Sequence, residues 1–105
     1  MRLTAIEIET ATPATNQIAD LTIARLIASA TDGDAQACYE LGVIWSTGGH
    51  GVDCDLIEAH QWFNLAAARG HQEAAWCRSD ISDEMTAREI AEAQRRARQW
   101  LGDHR

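Results

Sequence analysis

The stretch Leu41-Gly42 … Trp45 … Gly49-His50-Gly51-Val52 … Asp55-Leu56-Ile57-Glu58-Ala59-His60-Gln61-Trp62-Phe63 … Ala66-Ala67-Ala68-Arg69-Gly70 decides the fold. It reads as a helix, a glycine loop, a capped helix and a glycine stop. Upstream of the loop, Ala37, Cys38, Leu41, Ile44 and Trp45 recur at three- and four-residue spacing, the stripe of a helix from about Asp34 to Thr47. Gly42 lies beside that stripe; a mid-helix glycine costs about 1 kcal/mol relative to alanine, which is tolerable where a neighbouring helix must approach closely. Downstream, Asp55 and Glu58 have the spacing of a capping box, and Ala59, Trp62, Phe63, Ala66 and Ala67 form the stripe behind it up to Gly70.

Working outward, a first helix is expected from about Asn16 to Thr31, apolar over most of its circumference through Ile18, Leu21, Ile23, Leu26 and Ile27, and stopped by Asp32-Gly33. A fourth, weaker helix spans about His71 to Ser82. A fifth starts at a second capping box, Thr86 with Glu89, carries Ile90, Ala93, Ala97, Trp100 and Leu101 on one face and is closed by Gly102. Residues 1–15 differ: Ile6 and Ile8 alternate with polar neighbours before Pro13 breaks the pattern, so they read as an N-terminal arm, loosely ordered or pairing, ahead of a helical domain over 16–105.

A shift of 37 residues places Gly33 on Gly70, Ala37 on Ala74, Tyr39 on Trp76, Ile44 on Ile81, Leu26 on Phe63 and Ala30 on Ala67. A period of this size marks a helical solenoid. The fold class expected is all-α: a short right-handed α/α solenoid of about five antiparallel helices, with one complete repeat flanked by degenerate ones.

The spaced set Leu41-Gly42, Trp45, Gly49-His50-Gly51-Val52, Asp55, Glu58-Ala59, Trp62-Phe63, Ala66-Ala67 and Gly70 resembles the Sel-one-like repeat, a relative of the tetratricopeptide repeat, over about 40 residues. The chain departs from that pattern at Trp45, where tyrosine is commoner, at Gly48-Gly49, which adds a residue to the loop, and in the second unit, where Ser82-Asp83-Glu84-Met85 replaces the glycine loop. The resemblance implies a protein-interaction scaffold or adaptor, and no enzyme.

Composition excludes several other classes. The net charge is −7, with 16 acidic and nine basic side chains, all nine of them arginine; an acidic chain repels a phosphate backbone, so no nucleic-acid partner is expected. Arg95, Arg96 and Arg98 read as charges on a final helix turn that complement the helix dipole. Cys38, Cys54 and Cys77 make neither a disulfide framework nor a CxxC motif, which suits reduced thiols and a cytoplasmic location. The first ten residues do not read as a secretory signal, and no apolar run approaches the ~18 residues of a membrane span.

The first helix of each stacked pair usually faces the concave side. Gln36, Glu40, Val43 and Thr47 form one line opposite the Ala37/Leu41/Ile44 stripe, and the 37-residue shift extends it to Glu73, Cys77 and Asp80. Trp76, equivalent to Tyr39, is the tryptophan expected at the surface, and tryptophan is enriched at binding hot spots. These eight residues are the candidate contacts for another protein or peptide. Trp45 and Trp62 are expected in the core. His50, His60, His71 and His104 show no metal-ligand spacing, and no catalytic motif or cofactor fingerprint is present, so neither metal nor cofactor is expected. A self-associating module, such as a homodimer covering the apolar first helix, is the alternative reading; a small hydrolase or metal-binding protein is a remote one.

Overall fold

The computed structural model describes residues 21–104; the N-terminal arm and the expected start of the first helix at Asn16 lie outside the described residues. Within them every element is helical and there is no strand. Helix α1 occupies 21–31 and is followed by α2 (Ala35–Thr47), a 3-10 turn (Gly49–Gly51), α3 (Leu56–Ala68), α4 (Gln72–Ser82) and α5 (Ala87–Asp103). No helix among them is long and apolar enough to cross a membrane.

Two turns 37 residues apart are built alike. Gly33 N–H donates to Ala30 O and Asp34 N–H to Ser29 O; Gly70 N–H donates to Ala67 O and His71 N–H to Ala66 O, all at 2.9–3.1 Å. This is the Schellman pattern, which requires a left-handed residue after the helix. Gly33 (φ 94°) and Gly70 (φ 92°) supply it without the steric cost a Cβ brings. The next residue caps the following helix in both cases: Asp34 accepts from Gln36 and Ala37 N–H, and His71 accepts from Ala74 N–H through Nδ1.

The centre of the molecule is α3, which packs on α2, α4 and α5. Phe63, Leu65, Ala59 and Ala66 are fully enclosed, with Leu41 and Cys38 of α2 across from them. Gly42 is the point of closest approach: a Cβ there would lie 2.5 Å from the Phe63 ring. The glycine therefore has the packing role that its place in the sequence implied.

Three local expectations are corrected. At α3, Asp55 accepts from Ile57 and Glu58 N–H, but Glu58 does not reach back to complete the box. Its carboxylate turns inward, accepting from Trp62 Nε1 at 3.0 Å and meeting Arg96 Nη1 at 3.5 Å. Asp55 N–H instead donates to Trp45 O at 2.8 Å, which ties the loop back onto α2. At α5 the Thr86/Glu89 box is complete. Second, α5 runs through Gly102 to Asp103, and His104, stacked on Trp100 at 3.7 Å, follows it. Third, this extension leaves the arginines mid-helix and none in the last turn: Arg95 and Arg96 pair with Glu92, and Arg96 also with Glu58, in place of the dipole role. Trp62 is buried as expected, and Trp45, half-buried at a groove, packs against the same core.

Candidate binding face on α2 and α4

Helical spacing sets Gln36, Glu40, Val43 and Thr47 along one line of α2, and Glu73, Trp76, Cys77 and Asp80 along one line of α4. Gln36, Glu40, Thr47, Glu73, Trp76 and Asp80 are exposed; Val43 and Cys77 are half-buried. Trp76 is the most exposed large apolar side chain among the described residues, at 62%.

Two aromatic residues join the lines. His71 accepts Ala74 N–H on Nδ1 at 3.1 Å, so the proton sits on Nε2, which donates to Gln36 Oε1 at 2.9 Å. The Gln36 amide then donates to Glu40 Oε1 at 3.4 Å. Tyr39 stacks on the His71 ring, centroids 4.4 Å apart, leans on Phe63 and donates its hydroxyl to Glu73 Oε2 at 3.5 Å. The helix α4 cap, the aromatic stack and the carboxylates are thus one connected network between α2 and α4.

Thr47 stands apart, its hydroxyl donating to Val43 O at 2.8 Å. Asp80 is exposed at the far end of the α4 line; partial burial and its charge push the Cys77 thiol up. Burial, with Cys77 and Glu73 nearby, likewise raises the Tyr39 hydroxyl. Burial raises Cys38 as well, outweighing Arg69, whose Nη1 lies 3.4 Å from the sulfur. Neither Cys38 nor Cys77 is therefore activated as a thiolate nucleophile. All three cysteines are free, and no group of three or more His, Cys, Asp or Glu among the described residues has metal-binding geometry.

One groove borders this network and a second shares no residue with it. The first, of about 390 Å³, runs between α1 and α2, with Leu26, Tyr39, Val43 and Ile44 as its apolar lining and Gln36, Glu40 and His50 as its polar one. The other, about 640 Å³, lies where Trp45, the 52–57 segment, Glu84 and Glu89 meet; two of its carboxylates, Asp55 and Glu89, are occupied as helix caps. Sequence reading found the α2 and α4 lines but not Tyr39, His71, Leu26 or His50. A signal for two of them was available: Tyr39 is the 37-residue equivalent of Trp76, and His71 of the capping Asp34.

Comparison of the chain with family models, with curated proteins and with solved structures gives no match.

Proposed function

We propose that the chain is a short Sel-one-like helical repeat module, an adaptor that binds another protein or peptide along the α2/α4 face. The helices take the order B, A, B, A, B of a right-handed antiparallel solenoid, and the two A helices, α2 and α4, line its concave side. The observation that carries this reading is the exposure of Trp76 at 62% beside Glu73 and Asp80. A large indole left in water next to uncompensated carboxylates serves recognition better than stability. The repeated Schellman turn and cap at Gly33-Asp34 and Gly70-His71 support the solenoid arrangement. Free thiols suit the cytoplasm.

Affinity capture from native lysate tests the reading, comparing the wild type with the Glu40→Arg/Glu73→Arg variant. A partner retained by the first and lost by the second is the expected outcome. An identical set of captured proteins refutes it.

Self-association is a second reading, favoured by Leu21 at 56% and Ile27 at 38% exposure on α1. Light scattering after size exclusion decides it: a strict monomer at high concentration rules it out.

A further inference from the structure

We infer that the α1/α2 groove takes a large apolar side chain from a partner segment that carries an arginine or lysine beside that anchor. This rests on the reading of the α2/α4 face as a binding surface and states the chemistry of what binds there. The floor is apolar: Ile44 is buried beneath half-buried Leu26, Tyr39 and Val43. At about 390 Å³ the groove lies at the small end of the roughly 300–1,000 Å³ range of ligand pockets. That suits one anchoring side chain rather than the full face of a helix.

Among the described residues that line it there is one carboxylate, Glu40, and no arginine. Glu40 stands at the groove, and Glu73 and Asp80 continue the face on α4. Among the described residues Glu40 receives only the Gln36 amide, and Glu73 only the Tyr39 hydroxyl. The ion pairs among the described residues involve only α5 and Glu58 of α3, so no arginine among the described residues pairs with these three carboxylates. A cationic partner is complementary to such a surface and is drawn to it at a distance. The exposed Trp76 ring, one helical turn from both Glu73 and Asp80, offers a guanidinium a flat π surface next to its counter-charges.

The test uses the full chain as bait for a phage-displayed library of random twelve-residue peptides. The expected consensus pairs a large apolar residue with arginine or lysine within four positions. Binding of those peptides, measured by fluorescence polarisation, should fall at least tenfold in Glu40→Arg and should weaken as salt is raised from 50 to 300 mM. Val43→Glu and Trp76→Ala should weaken it too, with far-UV circular dichroism unchanged. Peptides lost in Val43→Glu or Trp76→Ala but lacking enriched basic residues, and indifferent to Glu40→Arg and to salt, overturn this inference and leave the binding-face reading standing. Peptides indifferent to all three variants, or no selected peptide at all, overturn both.

Discussion

A shift of 37 residues carries Phe63 of α3 onto Trp100 of α5, yet the two helices bury very different surfaces. The 13-residue α3 encloses seven residues, Ala59 to Phe63 with Leu65 and Ala66. The 17-residue α5 encloses two, Ala93 and Ala97. The cause lies in their neighbours: among the described residues α3 packs on α2, α4 and α5, whereas the one extensive packing partner of α5 is α3. A helix with three neighbours must be apolar around most of its circumference, and one with a single neighbour needs only a stripe. The remaining surface of α5 carries Glu92 bonded to Arg95 and Arg96, a solvated face of paired charges.

The largest effect expected from this contrast is at Phe63. Truncation to alanine leaves a cavity in the centre and should cost about 3–5 kcal/mol. Trp100→Ala, at the equivalent place on α5, should cost clearly less, because Trp100 is half-exposed and already leaves its Nε1 buried without a partner. Urea denaturation of both variants measures the difference. Equal losses would mean that α5 is as central as α3, and the interior-versus-edge contrast would fail.

Gly42 comes next. A Cβ at 2.5 Å from the Phe63 ring has nowhere to go, since Phe63 is itself enclosed. Overpacking of this kind costs about 1–3 kcal/mol, and the better helix propensity of alanine returns at most about 1 kcal/mol. Gly42→Ala should therefore be net destabilising by up to about 2 kcal/mol, and adding Phe63→Leu should recover part of the loss. Gly102→Ala, where a Cβ meets nothing within 4 Å, is the control and should be neutral or stabilising. A stabilised Gly42→Ala would show that the α2–α3 seam is looser than the contact implies.

These two tests also mark what the sequence could convey. The helices, the Gly33 and Gly70 stops, the Thr86 box and the close approach at Gly42 were legible because each depends on residues near in sequence or on a stripe of fixed period. Glu58 was misread because local spacing favoured a cap, while Trp62 Nε1 and Arg96, the latter 38 residues away, compete for the same carboxylate. The end of α5 was misread because Gly102, with a helical neighbour on either side, is no stronger a stop than Gly42. Of the candidate face, the two lines of residues were legible from period alone. The Tyr39–His71 stack joining them was not, because it depends on how α2 and α4 lie against each other.

A smaller effect separates α3 from α5 by pH. His60 is 98% removed from solvent with Nδ1 unpartnered, and burial, then the charge of Arg78, hold its imidazole below the ordinary value of about 6.5. The unfolded chain therefore takes up this proton first. The stability contributed by neutral His60 is fully present above about pH 6.5 and is lost as pH falls through the lower folded value. Glu58 works the other way: burial lifts its carboxyl, so its contribution is lost as pH rises through the folded value and is complete only at more acidic pH. Urea midpoints at pH 7.5 and 5.5 should show a loss on acidification that His60→Leu reduces, and removing the unpartnered nitrogen should leave stability at pH 7.5 unchanged or higher. The same loss in both proteins would place the titrating group elsewhere.

The smallest expected effect concerns the two equivalent aromatics, Tyr39 and Trp76, and it is the one that separates structure from recognition. Tyr39 is held by the His71 ring, Phe63 and Glu73. Its removal should loosen α4 from α2 and cost about 1 kcal/mol or more, as expected for losing an aromatic pair and a hydrogen bond. Trp76, 62% exposed, has no such partner among the described residues. Substitution by alanine should change the urea midpoint by less than the equivalent of about 0.5 kcal/mol, the usual range for surface positions. That outcome would fit the proposed role of Trp76 as a contact residue. A Trp76→Ala loss as large as that of Tyr39→Ala would argue against that role, because the indole would then be a structural residue of α4.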